Sequence, residues 1–87
     1  MVRLNDFVAI FHSVHKVMRA EKILKKEKVE MLLIPVPRQL TSDCGLAIRF
    51  ADKDRDQIES ILSRENLSPE ELFMKSTDGY QAVDVKA

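Results

Sequence analysis

Phe7-Val8-Ala9-Ile10-Phe11 is nonpolar at every position, the pattern of a central strand covered on both faces. After His12-Ser13 the period changes: Val14, Val17, Ala20 and Leu24 recur at helical spacing, and Ser13 is a good N-cap, so a helix is predicted from about Val14 to Lys26. Lys16, Arg19, Lys22 and Lys26 share another face of it, and lysines in its last turn complement the helix dipole. A break at Glu27-Lys28 leads to a second apolar run, Met31-Leu32-Leu33-Ile34, which Pro35 and Pro37 end because they cannot donate ladder hydrogen bonds. From Leu46 the chain alternates: Leu46, Ile48 and Phe50 fall on one face of a third strand, Ala47, Arg49 and Ala51 on the other. An acidic stretch then opens a second helix from about Asp54 to Glu65 with Ile58, Ile61 and Leu62 as its buried stripe, and Asn66 ends it. Ser68-Pro69-Glu70-Glu71 is compatible with a further helical turn. The favoured reading of the C-terminal part is a hairpin, Leu72 to Thr77 and Tyr80 to Val85, turning at Asp78-Gly79.

The order β-α-β-β-α-β predicts an α+β domain of ferredoxin-like arrangement, an antiparallel sheet with two helices on one face and a hairpin strand added at the C-terminus. With 87 residues the chain holds one domain, residues 1–87, since a second core of useful size does not fit. In this topology the ends of strands one and two and the start of strand three share one edge of the sheet. His12, Ser13, Pro37, Arg38, Ser42 and Cys44 are therefore expected to gather there, although they are far apart in sequence.

Charge changes this picture little. Fourteen basic residues balance fourteen acidic ones, so the overall basic footprint of a dedicated nucleic-acid binder is missing. Seven bases but four acids precede Met31, while ten acids lie between Asp43 and Asp84. Two partners could be met by two such halves, though solvated helix faces explain the same asymmetry. No apolar run has the length of a membrane span and no secretory leader is recognisable, so a cytoplasmic protein is expected, in a compartment where thiols stay reduced.

The candidate chemistry sits in Ile34 to Arg49, IPVPRQLTSDCGLAIR, which contains the one cysteine of the chain. A single cysteine excludes an internal disulfide and a Cys-x-x-Cys motif. Gly45 follows it, where a residue without Cβ allows a sharp turn and leaves room beside the sulfur. A thiolate is the nucleophilic form, and it is favoured by helix amino ends and nearby cations. The start of the first helix, Arg38 and Arg49 are the candidates for that role, with His12 or His15 to move a proton and Asp43 opposing them by its charge. From the residues alone this is a reactive thiol. An ordinary buried cysteine acting as a small hydrophobe is the competing reading. His15 also reads as a solvent-facing residue, Arg38 as a loop charge, and Glu21 as an ion-pair partner of Lys25. His12-x-x-His15 with Cys44 lacks helical-pair spacing and a fourth ligand, so no metal or other cofactor is expected.

The pattern Pro35-x-Pro37-Arg38-x-Leu40-Thr41-Ser42-x-Cys44-Gly45-Leu46-Ala47-Ile48-Arg49 resembles the signature of a small bacterial family named selenium/sulfur carrier-like proteins. The likeness extends back to Phe11-His12-Ser13 and Ala20-Glu21-Lys22-x-Leu24. It implies sulfur or selenium delivery, with Cys44 holding the atom as a persulfide or selenopersulfide and Arg38, Ser42, Gly45, His12 and Ser13 around it. A donor such as a cysteine desulfurase and an acceptor protein would be the partners. The better-known TusA-like carriers place their cysteine before a helix in a Cys-Pro-x-Pro context, so their mechanism does not transfer. Lacking a second cysteine, a nucleotide-binding glycine loop and a clear acid/base pair, the chain reads as a carrier or accessory protein rather than an independent enzyme.

The alternative is a non-catalytic interaction or regulatory module with a structural cysteine. Strands one and two are apolar on both faces and helices cover only one. The other face then needs the hairpin, a second copy or a partner, and a homodimer is expected. Contact with tRNA through the basic first helix is possible but not favoured, because Phe7, Phe11, Phe50, Phe73 and Tyr80 form no RNA-recognition signature.

Overall fold

The computed structural model describes residues 2–40 and 44–85. Its elements are β1 (Phe7–Ile10), α1 (Val14–Lys26), β2 (Leu32–Pro35), β3 (Leu46–Phe50), α2 (Arg55–Arg64), β4 (Glu71–Ser76) and β5 (Gly79–Val83), with a 3-10 turn at Asp52–Asp54 before α2. The strands form one sheet in the order β2-β3-β1-β4-β5. Every neighbouring pair is antiparallel. This is the expected ferredoxin-like α+β arrangement, with β5 added outside β4.

β1 lies in the middle and is buried along its whole length. Phe7, Ala9 and Phe11 point into the helix-side core with Val17, Ala20 and Leu24 of α1 and Ile58, Ile61 and Leu62 of α2. The rings of Phe7 and Phe50, directly paired between β1 and β3, stack with centroids 5.6 Å apart. Val8 and Ile10 enter a second core on the opposite face with Ile34 and Ala47, and Val2, Val36, Leu40, Phe73 and Tyr80 pack against it. Val8 and Ile10 are 0% exposed in a single copy. The open face that argued for a homodimer is thus covered by the chain's own N-terminus, the 36–40 segment and the hairpin, and the argument from exposure falls away. Phe7, Phe11 and Phe50 are core residues, which removes them as a base-stacking surface.

Both helices stop by the same local device. Lys28 and Asn66 adopt left-handed backbone conformations (φ 60° and 58°). The amides of Val29 and Leu67 then reach back to the carbonyls of Leu24 and Leu62, at 3.0 and 2.8 Å. Val29 and Leu67 are themselves buried in the helix-side core, so each helix end is closed by a backward hydrogen bond and an apolar contact together. α2 is tied down further by Arg55, which bonds buried Glu59 at 2.7 Å and the carbonyl of Asp84 at 2.9 Å, and lies over the Phe7 ring.

The hairpin turn falls one residue earlier than expected, and β5 ends at Val83 rather than Val85. Ser76 pairs with Gly79, so the two-residue loop is Thr77-Asp78, and Gly79 opens β5 at φ 133°. The register explains it: Leu72 opposite Val83 keeps both on the helix-side core, and a slip of one residue would turn that set outward. Pro35 closes β2 inside the strand instead of after it, which an edge strand tolerates.

Three measurements check this account. Phe50→Ala is expected to lower unfolding free energy by about 3–5 kcal/mol in denaturant titration. Lys28→Gly is expected to raise it by about 0.5–1 kcal/mol, by relieving a left-handed non-glycine residue. Burial pushes the Tyr80 phenol above its ordinary value of 10.0. The unfolded chain therefore ionises first, and stability should be unaffected by Tyr80 below about pH 10 and fall as pH rises beyond it, an alkaline loss that Tyr80→Phe reduces.

Candidate functional site

The end of β1, the end of β2 and the start of β3 meet at one edge of the sheet, because β3 runs antiparallel between the other two. Cys44 sits there, two residues before β3. Its Sγ lies 3.1 Å from the carbonyl oxygen of Phe11 and 3.4 Å from that of Leu46. The side chain is half-buried at the margin of the helix-side core. The position lies between the two sequence readings: the sulfur is neither fully sunk in the core nor standing clear in solvent. A thiol has one proton, so it serves the two carbonyls in turn or shares it between them.

Gly45 holds the loop exit in place. Its φ is 74°, a left-handed conformation that favours glycine, and its carbonyl accepts the amide of Val36 at 3.0 Å. A Cβ built at this position meets nothing within 4 Å. Backbone conformation, not space beside the sulfur, is what requires glycine here. On the other side of the loop Pro37 accepts from the amide of Leu40 at 2.9 Å, forming a turn that carries Arg38. Arg38 is exposed and makes no ion pair among the described residues. Ser42, with Thr41 and Asp43, lies outside the described residues.

The other expected members are engaged elsewhere. Ser13 is the N-cap of α1, its Oγ accepting the amide of Lys16 at 3.3 Å. His12 is exposed and faces β4: its amide donates to Glu70 Oε1 at 2.9 Å, and its Nε2 lies 3.6 Å from Glu71 Oε1. β4 flanks β1 on the side away from β3, so the imidazole is directed away from the sulfur. Arg49 also departs from expectation. It lies at the far end of β3 on the opposite sheet face, with Nη1 bonded to Asp6 Oδ2 at 3.1 Å. Alternation along an extended chain forces that separation, since residues an odd number of positions apart, such as 44 and 49, fall on opposite faces. Glu21 bonds Lys25 at 2.9 Å, the ordinary helix pair.

Two contributors were missed by sequence reasoning. Glu70 bridges the amide of His12 and Lys16 Nζ, the latter at 3.5 Å, and so fastens the entry to β4 onto the first turn of α1. The carbonyls of Phe11 and Leu46 supply the acceptors for the thiol. A backbone acceptor leaves no mark in a residue pattern, and Glu70 lies 58 positions from its partner. Among the described residues no group of three or more His, Cys, Asp and Glu side chains could hold a metal ion, and no helix is long and apolar enough to cross a membrane.

The backbone demand at Gly45 is testable. Gly45→Ala is expected to cost about 1–2 kcal/mol in chemical denaturation although the new methyl clashes with nothing, and Gly45→Asn less than alanine.

No curated protein and no solved structure matches the chain. A family model described as "Putative Se/S carrier protein-like" matches residues 6–74, from the residue before β1 into β4 with Cys44 inside the match. By that match the chain belongs to the Se/S carrier protein-like family.

Proposed function

We propose that the protein carries a sulfur or selenium atom on Cys44 and relays it between partner enzymes. The observation that carries this reading is the placement of the chain's single thiol: half-buried at the shared end of β1, β2 and β3, in a chain of this family. Around it the helix-side core supplies a fixed wall. The positive-φ Gly45 and the Pro37 turn fix the two sides of the loop that presents it.

The chemistry is thiol–disulfide exchange in form. Cys44 loses its proton to solvent, and the thiolate attacks the outer sulfur of a persulfide on the donor. A new bond forms between Sγ and that sulfur, the donor's S–S bond breaks, and the donor leaves as thiolate. The exchange is redox-neutral, and a selenium atom bound to the donor's sulfur is transferred in the same way. Delivery repeats the step with the acceptor's thiolate as nucleophile. A cysteine desulfurase is a donor of the required kind, the acceptor is a second protein, and a reducing cytoplasm keeps Cys44 available between cycles. In this reading Arg38, on the Pro37 turn, would meet the anionic product, while Ser13 and His12 contribute through the N-cap and the β1–β4 junction.

A second reading has an observation of its own. The Sγ contacts to two main-chain carbonyls are what a structural cysteine makes, and they suit a non-catalytic interaction module. Intact mass separates the two. Wild type and Cys44→Ser are incubated with a cysteine desulfurase and cysteine, and separately with selenocysteine as the selenium source. Serine retains a hydroxyl donor for the carbonyls, so the variant is expected to fold. The carrier reading expects one reducible added atom on wild type and none on Cys44→Ser. Absence of added mass, with Cys44 inert to a small alkylating reagent until the protein unfolds, would leave the interaction module.

A further inference from the structure

A second polar constellation lies at the other end of β3, about 17 Å from the thiol at the rise of an extended strand. A cavity of about 410 Å³ is bounded there by Arg3, Asp6, Glu30, Arg49, Phe50 and Lys53. Its volume falls in the range of small-molecule sites. The charges lining it are not equally available. Asp6 is 6% exposed, and its Oδ2 accepts both the amide of Arg3 at 2.9 Å and Nη1 of Arg49 at 3.1 Å. That carboxylate is spent in fixing the guanidinium. Glu30 and Lys53 meet only at 3.8 Å, with side chains 76% and 74% exposed, a loose surface pair that costs little to open. Arg3 has no acidic side-chain partner among the described residues. The Arg49 guanidinium has unmet capacity too: Nε is buried with no hydrogen-bond partner among the described residues, and a buried donor left in that condition is costly.

We propose that this cavity binds the oxyanion group, carboxylate or phosphate, of a small organic ligand. Arg49 is the fixed member. Asp6 holds it from behind, and a planar guanidinium recognises an oxyanion through paired donors. A small turn of its plane about the Asp6 bond brings the remaining donors to the cavity. Arg3 and Lys53 close on the anion from the rim, and Glu30 moves outward as Lys53 exchanges partners. The cavity is larger than a bare phosphate requires, so an organic portion accompanies the anion. Neither Cys44 nor any residue of its loop takes part, and the site stands whatever cargo the thiol carries.

The test is a titration of the isotope-labelled full chain followed by amide NMR. Inorganic phosphate and succinate are added separately at ionic strength held constant with chloride. The expected result is saturable shifts confined to the amides around Arg3, Asp6, Glu30 and residues 49–53, with a rise in melting temperature that grows with ligand concentration. Arg3→Ala/Lys53→Ala should weaken binding by about tenfold or more. Arg19→Ala/Lys22→Ala, on the outer face of α1, should leave it unchanged. Both double variants alter exposed side chains and should fold. Tighter binding of phosphate identifies a phosphoryl ligand, and tighter binding of succinate a carboxylate. Shifts that never saturate, shifts centred on α1, or an affinity unmoved by Arg3→Ala/Lys53→Ala would overturn the proposal.

Discussion

The constraint on which this structure depends is that β1 has no polar face. A strand with nonpolar side chains on both sides must be covered from both sides, and the described residues of this 87-residue chain offer two α-helices. They close one side, around Phe7, Phe11, Ile48 and Phe50. The other side is closed with small means: Val2, the 36–40 segment, Phe73 and Tyr80. The segment between β2 and β3 is therefore more than a connection. Val36 and Leu40 pin it to the second core, and the loop that leads to Cys44 leaves from a fixed base.

Around the sulfur the structure is economical. Among the described residues, two main-chain oxygens accept from it, and the polar side chains of the neighbouring β1–α1 and β4 segments have other duties. Ser13 begins a helix, His12 faces Glu71, and Glu70 joins β4 to α1.

Much of this was legible in the residues. Periods, apolar runs and turn residues together located both helices and the strands, with Ser13 and Asn66 marking a start and an end where the structure has them. The topology followed from element order, and with it the meeting of the ends of β1 and β2 with the start of β3. What stayed hidden depends on side-chain direction. Arg49 was assigned to the thiol because it is close in sequence, yet strand alternation sends it to the opposite face and into a pair with Asp6. His12 was assigned by topology to the right edge, but Glu71 draws its imidazole toward β4. The covering of the second sheet face was invisible for a related reason: Val2 and Leu40 lie in irregular segments, where no period announces which way a residue points. Gly45 was recognised for the turn it allows, while the space it was thought to leave turned out to be open already.

The two carbonyls that accept from the thiol belong to the backbone, so they come with the fold and not with any side chain. Drift at positions 11 and 46 can change the bulk beside the sulfur, but it cannot delete the two oxygens while β1 and β3 keep their register. Descendants of this sequence can therefore vary widely around Cys44 and still inherit the same local anchoring of the sulfur, leaving position 44 and the loop before it as the places where selection can alter what the thiol does.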